Sequence, residues 1–369
     1  MSPRNILILL AAVAALVVLV LFGQRGGSGG SGSGKLFAPS LEAALNDVER
    51  VTITKANNET VVALQRKPEG WVATNKGGYP ADVGKLRQGL RALAEAKILE
   101  QKTATPELYS HLGVEDVGGD KAAGIAIALT ANGKDLPVLI VGNPDGSKHR
   151  YVRRVGETQS YLIDRNPEFA RGVGQWLDAQ IIDLRTDRIV QVTITQPDGQ
   201  VVRISKPSKD AANYDVADVP KGRELLYPGV ANVIGNSLRE LNLEDVEPAA
   251  ASPPSKPTVV EFHAFDGLVV RVEGEKRGDA SWIGVTASVD AAQVARAAQA
   301  TTPTPPAEGA GAPPDTPKPV APPPVAATPD PAAEAARINA KVGPWRYKIA
   351  TFQYDQMTRR VADLLKPAA

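Results

Sequence analysis

Cysteine is absent from all 369 residues. That excludes a disulfide, a thiolate nucleophile and a Cys-bound metal, so stability has to come from packed cores. Histidine is nearly absent: His111, His149 and His263 lie in different segments, with no second His or carboxylate at helical ligand spacing, and no metal site is expected. Excess charge of one sign is missing too. With 42 Lys+Arg against 41 Asp+Glu the formal charge is +1, which provides no field to draw nucleic acid, and nucleic acid is not expected as a partner. The chain has no G-x-S-x-G elbow, no G-x-x-x-x-G-K-[ST] phosphate loop and no G-x-G-x-x-G turn after a strand. The neighbouring acids Glu115-Asp116 and Glu244-Asp245 read as solvated turn formers rather than a glycosidase pair. No catalytic, cofactor-binding or metal-ligating residue is assigned, no cofactor is expected, and the expectation is a protein that is not an enzyme.

What the chain does have begins at its amino terminus. A short basic leader, Met1 to Arg4, runs into the uncharged apolar stretch Ile6 to Phe22, which stops at Gln24-Arg25. As a helix this stretch rises about 25 Å, at the lower end of what crosses a hydrocarbon core of about 30 Å. A cleavable signal has an apolar region of about 7 to 15 residues and a small-x-small site, and Leu21 to Arg25 offers none. Residues 1–25 are therefore expected to be an uncleaved transmembrane helix, with the lipid bilayer as a partner through Ile6 to Phe22. Arg4 on one side nearly balances Arg25 and Lys35 on the other. The very short leader favours a single-pass bacterial inner-membrane protein whose body is periplasmic or otherwise extracytoplasmic. Residues 26–38, which include GGSGGSGSG, read as a flexible Gly/Ser-rich tether.

The body reads as α+β, in two tandem copies of an antiparallel-sheet-plus-helices unit. Glu49 to Thr54 aligns with Val190 to Thr195, and Val61 to Leu64 with Val201 to Ile204. A polar turn precedes the second strand of each pair, at Ala56-Asn57-Asn58 and at Pro197-Asp198-Gly199, which predicts two hairpins. Gly70-Trp71-Val72 and Asn213 to Val216 then supply a third short strand. A helix is predicted next in each copy: one capped by Asp82 with Val83, Leu86, Leu90 and Leu93 on its apolar face, one with Val230, Val233, Ile234, Leu238 and Leu241. Four more strands follow in both. Closing helices are predicted over Glu168 to Leu177 and Tyr354 to Leu365. The expected boundaries are 39–185 for the first copy and 186–369 for the second. The second copy is interrupted by a disordered Pro-rich insertion at 301–333, because Pro303 to Pro331 holds 12 of the chain's 30 prolines.

The densest basic run is Lys148 to Arg154. Alternation puts Arg150, Val152 and Arg154 on one face and His149, Tyr151 and Arg153 on the other. The run reads either as a solvated edge strand protected from aggregation or as an anionic-partner site through Arg150, Arg153 and Arg154. Trp71, Trp176, Trp282 and Trp345 read as core-packing residues.

Several segments together resemble a known family: Val48 to Thr54 leading into Gly70-Trp71, then Gly78 to Asp82, Leu112 to Asp116, Tyr151 to Arg154 and Trp176-Leu177. The chain is similar to the domain of unknown function 4340 family over about residues 40 to 250, and the Pro-rich insertion departs from the family pattern. The resemblance implies a bacterial inner-membrane-anchored protein found alongside transporter subunits of the gliding-motility type. It implies no established activity and brings no catalytic residues with it. The leading expectation is a non-enzymatic extracytoplasmic accessory or scaffold protein with a membrane-protein partner, an ABC-type transport complex. The alternatives are a binding module for a cell-envelope polymer or lipid, using a groove between the repeats near Arg150, Arg153 and Arg154, and a hydrolase with an unrecognised site.

Overall fold

The computed structural model describes residues 33–251, 253–300 and 330–367. The expected anchor Ile6 to Phe22, tether residues 26–32 and Pro-rich residues 301–329 lie outside the described residues. Among those described, no helix is long and apolar enough to cross a membrane. The chain divides into two compact units between Gly172 and Val173, ahead of the expected boundary at 185/186. Both units are α+β with antiparallel sheets.

In the first unit the strands are β1 (Val48–Lys55), β2 (Glu59–Lys67), β3 (Gly70–Ala73), β4 (Tyr79–Pro80), β5 (Ile98–Gln101), β6 (Ile125–Ala131), β7 (Lys134–Asp135), β8 (Leu139–Asp145), β9 (His149–Arg154) and β10 (Ser160–Ile163). They form one sheet in the order β4-β3-β2-β1-β6-β8-β9-β10-β5, with β7 beside β6. The helices are α1 (Pro39–Ala44), α2 (Val83–Ala94) and α3 (Tyr109–Leu112). Asp82 caps α2 by accepting from the Gly84 N–H at 2.9 Å, and Leu86, Leu90 and Leu93 form its buried face, as the helical spacing predicts. In β1 the buried residues are Val48, Val51 and Ile53. A bulge between Val48 and Arg50 shifts the pleat, so residues three apart face the same core.

The opposite face of this sheet is covered by the segment after β5. Tyr109, Val114, Val117 and Ala122 pack there on Ala126 of β6 and Ile140 of β8. Close approach demands glycine twice: an added Cβ would lie 2.4 Å from the Leu112 carbonyl oxygen at Gly142, and 2.4 Å from that of Gly113 at Gly124. Burying Val114 and Ile140 completely contributes about 1.5–3 kcal/mol each.

In the second unit β11 (Gln180–Ile182) pairs with β15 (Leu241–Asn242) in a two-stranded sheet. The main sheet contains β12 (Ile189–Thr195), β13 (Val201–Ser205), β14 (Asp215–Val216), β16 (Asp245–Pro248), β17 (Thr258–Ala264), β18 (Leu268–Arg277), β19 (Ala280–Val289) and β20 (Trp345–Ile349). Its order is β14-β13-β12-β17-β18-β19-β20-β16. The helices are α4 (Asn232–Gly235), α5 (Ala291–Ala300), α6 (Pro331–Val342) and α7 (Thr351–Met357).

Several expectations are corrected. The tether does not extend to residue 38: Leu36 bridges Lys97, and Phe37 and Ala38 are core residues. The insertion does not extend to residue 333, because Asp330 accepts from the Ala332 and Ala333 N–H groups and starts α6, with Pro331 at a position where a missing N–H is harmless. Glu168 to Leu177 is not a helix. Gly172 and Gly174 weaken it, Gly174 sits hard against the Glu244 backbone, and only a 3₁₀ turn forms over Val173–Trp176. The helix read over Val230 to Leu241 shrinks to α4 within a run of turns, where Gly235 lies under the Tyr214 ring. The closing helix splits into α7 and a 3₁₀ turn at Val361–Leu364, with extended Arg360 held by the Asp363 carboxylate between them. Finally, β9 is not an edge strand, since β8 and β10 pair with it on either side.

Candidate functional site

The three arginines of β9 do not converge. Arg153 is 3% exposed on the face covered by Tyr109. Its guanidinium donates to the Val114 carbonyl at 2.8 Å, the Glu157 carbonyl at 3.1 Å and Asp116 Oδ1 at 2.5 Å, and it stacks 4.7 Å from the Tyr109 ring centre. Arg154 projects from the other face. There it donates to the Phe37 carbonyl at 3.0 and 2.6 Å and to Glu157 at 2.7 Å, lying 4.9 Å from the Phe37 ring and 5.4 Å from that of Tyr161. Arg150 donates to Asn166 Oδ1 at 2.7 Å and the Gly142 carbonyl at 3.0 Å. Burial holds the Arg150 pKa below its ordinary value, and Glu168 partly opposes that. Each guanidinium is thus committed to acceptors within the first unit.

The tryptophans divide as well. Trp176 is buried, whereas Trp71, Trp282 and Trp345 are half-buried. Arg277 lies 5.1 Å over the Trp282 ring, on a face of the second sheet where Arg271 pairs with Glu261 and Glu273, and Arg277 with Glu247 and Glu275.

The concave region of the second unit is built around α7, the β12–β13 turn and the ends of β17 and β18. One cleft of about 660 Å³ is lined by Phe352, Gln356, Arg359 and Asp363, together with Asp355, Thr358 and Arg360. A second of about 410 Å³ shares those last three residues and adds Gln196, Lys256, Thr258, Lys276 and Tyr354. The two clefts are therefore adjacent. The floor is well ordered by hydrogen bonds: Gln196 Nε2 donates to the Thr358 carbonyl at 2.7 Å, and Thr258 Oγ1 donates to Gln196 Oε1 at 3.2 Å. The Tyr354 ring lies against Gly274, where an added Cβ would fall 2.5 Å from it. Burial raises the Tyr354 hydroxyl pKa, and its hydrogen bond with Thr258 opposes the shift.

Charges in the cleft fall into two groups. Lys276 pairs with Asp355 at 2.7 Å, and Arg360 pairs with Asp198 at 2.6 Å while also reaching Gln200 at 3.1 Å. The Gln200 N–H and then Arg360 hold the Asp198 carboxyl below its usual range. Lys256 and Arg359, by contrast, have no hydrogen-bond or ion-pair partner among the described residues. Sequence reasoning missed this region because its residues come from four separated segments. The doublet Arg359-Arg360, next to the apolar stripe of the closing helix, was the one local signal. Among the described residues, no cluster of three or more His, Asp or Glu is arranged to hold a metal ion.

No curated protein and no solved structure matches the chain. A family profile matches residues 71–258, from β3 of the first unit to the first residue of β17 in the second. That is a little over half of the chain, which therefore belongs to the family described as domain of unknown function (DUF4340).

Proposed function

We propose that this protein is a non-enzymatic accessory or scaffold component of the bacterial inner membrane, held by Ile6 to Phe22, with its body outside the cytoplasm against an ABC-type transport complex. The observation that supports this reading is how the conspicuous basic groups are used. Arg150, Arg153 and Arg154 are tied to backbone carbonyls and carboxylates, as in a rigid platform, rather than gathered around a reacting centre. A charge-laced open sheet such as that of Glu261, Arg271, Glu273, Glu275 and Arg277 suits a polar, reversible protein contact.

The body of this scaffold is a tandem duplication in the same proposal. Setting aside β4 and β7, the strands of each main sheet, counted within their own unit, run third-second-first-fifth-sixth-seventh-eighth-fourth. The bulge between Val48 and Arg50 of β1 has its counterpart between Ile189 and Gln191 of β12. Val51 opposite Leu64 likewise corresponds to Val192 opposite Ile204. Independent convergence on one strand order, one bulge and one register is a far less economical account.

The test is cross-linking of the full-length protein in native membranes, followed by purification in mild detergent and identification of what accompanies it. A copy with Ile6 to Phe22 replaced by a neutral anchor serves as control. Recovery of transporter subunits at stoichiometric levels is the expected result, and recovery of the protein alone overturns the reading.

A further inference from the structure

We infer that the double cleft of the second unit is a binding site for an acidic glycan, a class of ligand that the scaffold reading does not require. Three features of the cleft select that chemistry. Phe352, at its wall, is 63% exposed, the largest exposure among the big apolar side chains of the described residues, and a sugar ring packs its C–H face on such a ring. The remaining lining of Gln196, Thr358, Gln356 and Asp355 supplies donors and acceptors that match hydroxyl groups, beside apolar surface that the C–H face of a sugar covers.

The sign of the ligand follows from the ion pairs. Lys276 and Arg360 are paired with Asp355 and Asp198, Glu275 is bonded to Arg277 and Asp363 accepts the Arg360 N–H, which leaves Lys256 in one cleft and Arg359 in the other as cations without a partner among the described residues. A ligand that spans both clefts therefore meets a cation in each. The Arg359 guanidinium offers the fork that matches a carboxylate. Two clefts side by side, sharing Asp355, Thr358 and Arg360, favour a chain of sugars over a single small anion. The ordered floor, with Tyr354 on Gly274 and Gln196 bonded to Thr358 and Thr258, keeps the cleft open without a ligand and so lowers the ordering cost of binding.

The experiment is isothermal titration of the full chain in mild detergent with hexagalacturonate, with chitohexaose and inorganic phosphate as separate arms. Hexagalacturonate is expected to bind and to weaken as salt rises. Phe352→Ala, and Lys256→Gln combined with Arg359→Gln, should each raise its Kd about tenfold, the scale of one lost charge-assisted contact. All of these side chains are at least partly exposed, so the melting temperature of each variant should match the parent and serves as the folding control. Equal affinity for neutral chitohexaose overturns the acidic requirement. Phosphate binding as tightly as hexagalacturonate, with no effect of Phe352→Ala, overturns the glycan and leaves an anion hole. Binding unchanged in every variant, or absent, overturns the site. None of these outcomes depends on whether a transporter subunit co-purifies.

Discussion

Arg153 and Arg346 are both 3% exposed guanidinium groups on strands, and their surroundings differ in the respect that decides their energetic worth. Arg153 donates to two carbonyls and Asp116 and rests on the Tyr109 ring. Arg153→Ala strands the Val114 carbonyl beneath the covering segment, and a loss of about 2–3 kcal/mol in denaturant-derived stability is expected. Arg153→Lys recovers little, because an ammonium cannot reach three acceptors in the geometry of the fork. Among the described residues Arg346 has no hydrogen-bond acceptor for Nε or Nη2, and Glu275 stands 3.6 Å away, within ion-pair range but beyond a hydrogen bond. Burial also lowers its pKa, the mark of a charge whose desolvation is incompletely offset. Arg346→Met should therefore leave stability unchanged or raise it by up to about 1 kcal/mol, with Glu275 still bonded to Arg277 at 2.6 Å. A loss comparable to that of Arg153→Ala would show that Glu275, rather than the unmet N–H groups, decides the site. Alternation on β9 correctly assigns Arg153 and Arg154 to opposite faces. It does not reveal that both are used internally, because the acceptors come from Val114, Asp116 and Phe37, which no local pattern connects to the strand.

At the level of elements, β19 outlasts its neighbour: β20 pairs with it only over Ser281–Gly284. Helix α6 covers the exposed edge. Asn339 accepts the Ala287 N–H and donates to the Ala287 carbonyl, both at 2.7 Å, acting as a one-residue strand. Asn339→Ala leaves two backbone groups unpaired and should cost about 2 kcal/mol, read from the denaturation midpoint, while Asn339→Asp retains only the acceptor. This contact was illegible in the sequence, because α6 begins inside the stretch that proline content marks as unstructured. The hairpins and α2 were legible because a turn signal, a cap and an apolar period agree over the same few residues. Helices α4 and α7 were overcalled for the opposite reason: their apolar spacing is helical, but Gly235 under Tyr214 and the extended Arg360 stop them. The carboxyl-terminal segment also depends on pH. Lys366 holds the Glu224 carboxyl below its usual range, as the Gln200 N–H and Arg360 do for Asp198. Folded values below the unfolded ones mean that the stabilisation is complete above about pH 5 and is lost as pH falls through the folded values. Hydrogen-exchange protection of the Leu226 and Lys366 amides, which bond Leu364 and Glu224, should therefore drop on acidification below pH 4 before that of β12. Simultaneous loss would assign the acid sensitivity to the sheets instead.

For the whole molecule, the boundary between units decides what folds by itself. The repeat alignment anchors on the strand pair at Val51 and Val192 and places the cut at 185/186, because the helix expected over Glu168 to Leu177 is taken as the close of the first copy. Those residues belong to the second unit: β11 pairs with β15, the Gly174 N–H donates to the Glu244 carbonyl at 3.1 Å, and the Leu184 N–H to that of Leu238 at 3.0 Å. Trp176, Leu177, Ile181, Ile182 and Leu184 are all buried. At about 1.5–3 kcal/mol for each buried side chain, losing five of them removes about 7.5–15 kcal/mol, as much as the roughly 5–15 kcal/mol that holds a domain folded. Every strand pairing among the described residues lies within one unit, so fragments 33–172 and 173–367 should each unfold in a single cooperative transition. Fragment 186–367 should be unfolded or aggregated under the same conditions, and circular dichroism with denaturant titration of the three distinguishes them. If 186–367 matched 173–367 in midpoint and slope, the segment from Val173 to Arg185 would be a linker that merely rests on the sheet, and the core of the second unit would begin where the sequence alignment places it.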